Sequence, residues 1–391
     1  MTPEDVKIYI TQLNPQKASK SNSSPTKIIK LSVDIISPII CDIFNKCIEE
    51  AVFPDNLKSA EIRPVHKRGN KLNVSHFRPI SILDPYSKIY ETHINTELTG
   101  FMTKHNILHD SQFGFRTNSS TEMAVSQIIE DITIKFQNGE YTCAIFLDLA
   151  KAFDTVDHGI LINKLRACGV RGLPLKLLQN YLNNRTQQTL INNTKSNTQT
   201  INCGIPQGSI LGPLFFNTYI NDIVNVSNFK IKLFADDACL LLSSKDAKDL
   251  EKKVNTELIK INQWRKLNKL SINFSKSYYM IFSNKKKNPK FNITMDGNKL
   301  TRTDDFKYLG IIIDHKLKWN KHIKYILNKI LKVSYMLTKI RHYIDLNSLK
   351  LLYYSLVHSH LIYCLTTWGG APNTTLQPLI NIQKKNYKNY Y

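Results

Sequence analysis

Residues Phe229–Leu242 read FKIKLFADDACLLL: Ile231, Leu233 and Phe234 interleaved with Lys230 and Lys232, then the pair Asp236-Asp237, then the apolar run Ala238–Leu242. Runs of this length with a polar break between them predict a tight hairpin over Lys230–Leu242, with both aspartates in its turn. Upstream, Thr142–Leu147 is a short continuous apolar run that predicts a buried strand, and Asp148 ends it in CAIFLD. An unpaired carboxylate at the end of a buried strand is costly unless something cationic binds it, and adjacent aspartates repel each other. If the two strands are sheet neighbours, Asp148 and Asp236 converge at one end. Asp-Asp turns also arise for purely local hydrogen-bonding reasons, so the pair alone decides little.

Such a group of carboxylates has a specific chemical use. Oxygen-only ligands suit Mg2+, which keeps waters and binds substrate phosphates. Two such ions ~3.5–4 Å apart can activate a hydroxyl and stabilise a leaving phosphate oxygen. Phosphoryl transfer asks a protein mainly for positioning and charge neutralisation.

Outward from this centre the chain shows further elements. Ala60–Leu83 has a strand, basic turn, strand pattern, and Leu31–Ala51 has helical spacing. Thr121–Phe136 reads as a helix with Met123, Ile128, Ile129, Ile132 and Phe136 on one side. A helix over Ile160–Ala167 is followed by Gly169, suited to its C-terminal cap. Asn183–Thr200 is polar and reads as strand, loop, strand. Ser209–Ile223 is helical, with Pro213 in its first turn. Residues 247–270 form an amphipathic helix, and residues 320–365 are helical and rich in Lys and Tyr. Residues 15–30 are loop-like, and Lys285-Lys286-Lys287 reads as a solvated turn.

The bulk numbers fit a folded protein with a polyanionic partner. Of 391 residues, 42% are hydrophobic and 21% charged, and 53 Lys plus Arg against 31 Asp plus Glu leave a net charge of +22. The length predicts two or three subdomains. The basic excess points to nucleic acid or an anionic membrane, with the solvated surface of a Lys/Asn-rich chain as the bland alternative. The seven cysteines form no CxxC pair, so neither a zinc knuckle nor a disulfide framework is indicated. The N-terminus lacks an apolar signal region and no uncharged apolar run reaches ~18 residues, so no membrane partner and a reducing intracellular compartment are expected.

The ordered motifs carry a resemblance. FPDNLKSAEIRPVHKRGN (53–70) with FRPISILDPYSKIYE (77–91), QFGFRTNSSTEMAV (112–125), AIFLDLAKAFDTVDH (144–158), GIPQGSILGPLFFNTYINDI (204–223), FADD (234–237), WRKLNKLSINFSKSYYMIF (264–282) and FKYLGIIID (306–314) stand in one order. From Phe53 to Gly310 the chain resembles the reverse transcriptases of non-LTR retrotransposons, particularly jockey-like, LINE-type elements. Several blocks in order are far more specific than any one.

The resemblance implies an α+β right-hand polymerase fold of fingers, palm and thumb, with an antiparallel palm sheet backed by helices. It assigns 1–140 to fingers, 141–319 to palm with a primer-grip hairpin near 306–313, and 320–391 to a helical thumb. The implied activity is RNA-directed DNA polymerisation with two Mg2+ ions (Mn2+ as substitute), an RNA template, a DNA primer and dNTPs. Asp148 and Asp236 would hold both metals, with Asp237 as a supporting carboxylate. Phe153 would be the aromatic gate that excludes a ribose 2′-hydroxyl; its bland reading is a core aromatic. Gln207 and Gly208 would let the backbone approach the incoming base pair. Arg78 and Lys67 would grip the triphosphate, with Arg68 and Lys71 as competitors. Lys276 would protonate departing pyrophosphate, or is simply a surface lysine. Lys321, Lys324, Lys329 and Lys332 would follow a template–primer backbone. Nuclear action is implied by the family's habit of priming at chromosomal DNA.

Departures from the family pattern also raise expectations. The stretch Lys20–Thr26, KSNSSPT, lacks the glycine expected near the start of the fingers. No endonuclease, zinc-knuckle or ribonuclease H pattern is present, so a fragment of a longer reading frame or a decayed copy that binds without catalysis is the competing expectation. A group II intron maturase or an RNA-templated RNA polymerase is a second alternative, and Phe153 argues against RNA synthesis.

Overall fold

A computed structural model describes residues 1–67, 69–285 and 289–390. Arg68, a competing triphosphate cation, and Lys286 and Lys287 of the lysine run lie outside the described residues. The chain mixes helices with sheets and divides into two compact units, each drawn from three stretches of sequence.

The first unit comprises Met1–Phe115, Leu149–Val226 and Ile261–Ile272. The expected strand–turn–strand is β1 (Ser59–His66) and β2 (Phe77–Ile82), antiparallel with Val65 opposite Arg78. The polar excursion is β4 (Arg185–Ile191), on which β5 (Thr194–Lys195) and β6 (Gln199–Ile201) fold back. β4 runs parallel to β1, with Ser59–Ile62 against Thr186–Thr189. Pro64 lies past that register, so its missing N–H costs no bond to β4.

Local chemistry sets the helices of this unit. Asp84 accepts the Tyr86 N–H at the start of the helix Pro85–Lys104, where Pro85 suits the first turn. Asp157 accepts the Ile160 N–H at 2.9 Å and caps His158–Ala167, which ends as expected at Gly169 with φ 98°. The helix expected from Ser209 begins instead at Gly212, whose N–H donates to the Ser209 hydroxyl; it ends at Ile220 and Asn221–Asn225 tighten to a 3-10 turn. The loop expected over 15–30 ends at Pro25, since Thr26–Leu31 is a helical turn that buries Ile29 ahead of Val33–Glu49.

The second unit comprises Arg116–Asp148, Ser227–Lys260 and Asn273–Tyr391. Its sheet is built on β3 (Tyr141–Ala150), flanked by β8 (Asp237–Ser244) and then β7 (Lys230–Phe234) on one side and by β10 (Tyr278–Phe282) on the other. These pairs are antiparallel. The edge pair of β10 with Thr301–Arg302 is parallel, a departure from the all-antiparallel sheet expected. Thr142–Leu147 are all buried, as an apolar run with no alternation requires. Leu149 and Ala150, which belong to the first unit, pair antiparallel with Ile272 and Ser271, the two residues of β9 (Ser271–Ile272).

Ser120 caps the helix Thr121–Gln137 through the Met123 N–H. This helix buries Ile128, Ile129 and Ile132 as expected and half-buries Phe136, whereas Met123 is exposed and Ala124 and Val125 complete the buried face. The core continues through Tyr308, Ile311, Ile313, Trp319 and Ile323 to the C-terminal helices. Asp305–Tyr308 and Ile311–Asp314 pair as an antiparallel hairpin, and Asp314 accepts the N–H groups of Lys316, Lys318 and Trp319, which turns the chain from that hairpin into the helix Asn320–Ile340.

Candidate active site

The register of β3 and β8 places Asp148 directly opposite Asp237. The β7–β8 turn is two residues long, Ala235–Asp236, with Phe234 paired to Asp237 and Ala235 at φ 54°. Asp236 alone of the two aspartates therefore occupies the turn, and Asp237 opens β8. A non-glycine residue with positive φ in a hairpin turn carries strain, the kind that persists where the surroundings hold it. Three half-buried carboxylates thus come to the end of one sheet. Carboxylates directly opposite on neighbouring strands are destabilising in themselves, and a divalent cation offsets that.

Lys276 belongs to the same end. Its Nζ lies 3.8 Å from Asp148 Oδ2. The turn that carries it is tied to Asp148 on both sides: the Asn273 N–H donates to Asp148 O at 2.8 Å, and the Asp148 N–H donates to Ser277 Oγ at 3.2 Å. With Lys276 half-exposed, this ion pair is worth little stability. Its content is placement, a proton-bearing cation beside the carboxylate.

Among the described residues no group of three or more His, Cys, Asp or Glu side chains is arranged as a ready-made metal cage. The donors present nevertheless fit Mg2+, which takes one or two carboxylates and fills its shell with water and phosphate oxygens.

In the first unit the remaining expected residues fall into two groups. Phe153 is half-buried, stacked on Phe216 at 4.6 Å and 21° between rings, and edge-on to Phe115 at 6.1 Å. Gln207 and Gly208 lie in the loop before the helix Gly212–Ile220. Gln207 O accepts the Ser81 N–H at 2.8 Å, and Gly208 has φ 129°. A Cβ on Gly208 would lie 2.6 Å from Ser81 O, so the close approach that demands glycine here is to β2 of the protein itself. Arg78 is exposed on β2; Lys67 and Lys71 are exposed in the loop that follows β1, where the Lys67 N–H donates to His76 O.

Two residues went unremarked in the sequence. Asp154 Oδ1 accepts from Gln207 Nε2 at 2.8 Å. Glu91, fully buried, accepts the Ile210 N–H at 2.7 Å and the Ser87 hydroxyl at 3.0 Å. Burial pushes its carboxyl up, against the opposing influence of Arg185. Glu91 thereby supports, beside the Ser209 hydroxyl, the start of a helix whose N-cap residue Leu211 makes no side-chain cap. The available signal was a glutamate at core spacing, with Ser87, Glu91, Ile94 and Leu98 on one face. Of the C-terminal lysines, Lys321, Lys324, Lys329 and Lys332 are all exposed; Lys321 pairs with Asp305, and Lys329 lies over the Tyr325 ring at 4.8 Å.

Residues 65–313 match the family described as Reverse transcriptase (RNA-dependent DNA polymerase), and the chain belongs to that family. It is 28% identical over 398 residues to the RNA-directed DNA polymerase from mobile element jockey of Drosophila melanogaster, covering 98% of this chain and 43% of that protein. It is 28% identical over 355 residues to a probable RNA-directed DNA polymerase from transposon X-element, covering 88% and 38%. It is 32% identical over 295 residues to that from transposon BS, covering 72% and 32%, both again from Drosophila melanogaster. The chain spans less than half the length of these relatives. The resemblance to jockey-like elements is borne out. Among the described residues no helix is long and apolar enough to cross a membrane.

Proposed function

We propose that this chain is the RNA-directed DNA polymerase core of a LINE-type retroelement, adding dNTPs to a primer 3′-hydroxyl along an RNA template. The observation that carries the reading is the register of Asp148 against Asp237, with Asp236 in the adjoining turn. The reading takes 1–140 as fingers, 141–319 as palm and 320–391 as thumb of a right-hand fold, acting in the nucleus. Asp148, Asp236 and Asp237 would hold two Mg2+ ions, or Mn2+ in their place; bound there, the pair supplies activation of the hydroxyl and neutralisation of charge on pyrophosphate. Lys276 gives a proton to the departing pyrophosphate. Lys67 and Arg78 hold the triphosphate by charge-assisted hydrogen bonds. Phe153 meets the sugar and excludes a 2′-hydroxyl, with Phe115 and Phe216 limiting its ring. The exposed lysines of Asn320–Ile340 follow the duplex backbone without reading sequence.

Primer extension tests this. Unaltered protein, RNA template, DNA primer, dNTPs and Mg2+ should give extended product. Asp148→Asn and Asp236→Asn should each lose about three orders of magnitude or more, as expected for groups that stabilise charge in the transition state. Salt-sensitive binding of primed template without extension by any version would refute the catalytic reading in favour of a binding remnant.

A further inference from the structure

The turn after β3 and the loop that carries Gln207 are stitched together within the first unit. The Ile205 N–H donates to Phe153 O and the Gly204 N–H to Val156 O, both at 2.8 Å. His158 Nε2 donates to Gly204 O at 2.8 Å. These contacts hold the path of the loop through backbone atoms. Beyond them, Gln207 O is bonded to the Ser81 N–H, and Gly208 is pressed against Ser81 O. The backbone at Gln207 is therefore held from both sides, and the freedom left to Gln207 is that of its side-chain amide.

Asp154 removes that freedom. A carboxylate accepts hydrogen bonds and donates none, so Gln207 must present its NH2 to Asp154 Oδ1. The opposite end of the amide, the carbonyl Oε1, is then turned away. Without Asp154 the two ends are nearly the same shape and interchange by a half-turn about the last torsion.

Resting on the polymerase reading, we propose that Asp154 is a positioning residue that fixes the Gln207 amide so that its carbonyl oxygen is offered as an acceptor to a donor group of the incoming nucleotide. The carboxylate thereby sets nucleotide affinity, while the backbone contacts set stability. Asp154 needs no contact with the nucleotide itself.

The test measures dNTP binding to full-length protein on a primed RNA template whose primer lacks a 3′-hydroxyl, in Mg2+. The versions compared are unaltered protein, Asp154→Ala, Asp154→Asn, Gln207→Ala and the double Asp154→Ala/Gln207→Ala. Gln207→Ala, which removes the acceptor itself, should weaken dNTP binding about tenfold, the scale of one hydrogen bond, and Asp154→Ala by about two- to tenfold: roughly twofold for the freed half-turn of the amide, and more as the other side-chain torsions are released. The double variant should be no weaker than the worse single, because both remove one arrangement. Asp154→Asn, which accepts but also donates, should fall between. Melting temperature and affinity for primed template should stay at the unaltered values, and at saturating dNTP on an ordinary primer kcat should change much less than KM. Unchanged dNTP binding in Asp154→Ala, additive losses in the double variant, or equal losses in duplex and dNTP affinity each overturn the assignment alone. Absence of dNTP binding by the unaltered protein overturns the polymerase reading and the assignment with it.

Discussion

Gly208→Ala is the substitution whose cost the structure defines most closely. At φ 129° an alanine enters a region that is essentially glycine's, at about 1–3 kcal/mol. Its Cβ would lie 2.6 Å from Ser81 O, and ordinary contact begins at 3.4 Å, so backbone must open by 3.4 − 2.6 = 0.8 Å. The same peptide region donates the Ser81 N–H to Gln207 O at 2.8 Å, a bond that such a shift stretches past useful length, with about 0.5–1.5 kcal/mol lost. The sum is roughly 2–4 kcal/mol. At about 2–4 °C per kcal/mol for an unfolding unit of this size, the melting temperature should fall by roughly 5–15 °C. Gly172→Ala is the control: φ is 62° but nothing lies within 4 Å of the added Cβ, so its cost is conformational alone, about 1 kcal/mol. Scanning fluorimetry reads both variants, and the KM for dNTP reads the loop. Equal losses in the two variants, or a Gly208→Ala protein melting within a degree of the unaltered one with the same KM, would refute the close-approach argument.

Three further outcomes are expected. Phe153→Ala should raise ribonucleotide incorporation relative to deoxyribonucleotide; an unchanged sugar ratio in competition assays removes the gate role and leaves Phe153 as packing between Phe115 and Phe216. Mg2+ should raise the melting temperature of the unaltered protein, by about 2.7 kcal/mol of stability at a hundred times its dissociation constant, and should do so far less for Asp148→Asn. His322 is buried, its Nδ1 accepting the Ile312 N–H, and burial holds its ring down at about 4, with Lys307 a smaller cause, from an ordinary 6.5. As pH falls from 6.5 to 4 the unfolded chain takes up a proton that the folded one refuses, so stability is lost across that window, roughly 3 kcal/mol in full. His322→Phe should flatten the urea-midpoint profile over this range, and parallel profiles would show that other groups carry the acid sensitivity.

Much of the candidate site is written locally. Thr142–Leu147 is a short apolar run without alternation, as a strand buried on both faces has, and it ends at a charge. FKIKLFADDACLLL contains its own turn, because two residues suffice to reverse a strand and strand-forming residues stand on both sides of it. Asp84, Ser120 and Asp157 each mark a helix start with a side chain that accepts a nearby backbone N–H. Such readings slip at their margins: the buried face of Thr121–Gln137 omits Met123, and the helix expected at Ser209 starts at Gly212.

Which strand pairs with which, and in what register, is a different kind of fact. A period-two or all-apolar pattern fits many partners, so nothing within CAIFLD or FADD says that Asp148 faces Asp237 rather than Asp236. The parallel pairing of Ser59–Ile62 with Thr186–Thr189 joins segments far apart in sequence and is decided by what the whole unit can bury. Lys276 reaches Asp148, Asp154 orients Gln207 and Glu91 supports Ile210 only because tertiary packing brings distant backbones within hydrogen-bond range. The sequence by itself determined the elements, the turn and the supply of carboxylates, since those follow from short-range sterics and periodicity. The tertiary structure alone decided their register and the orientation of each functional group, since these depend on contacts that no local pattern encodes.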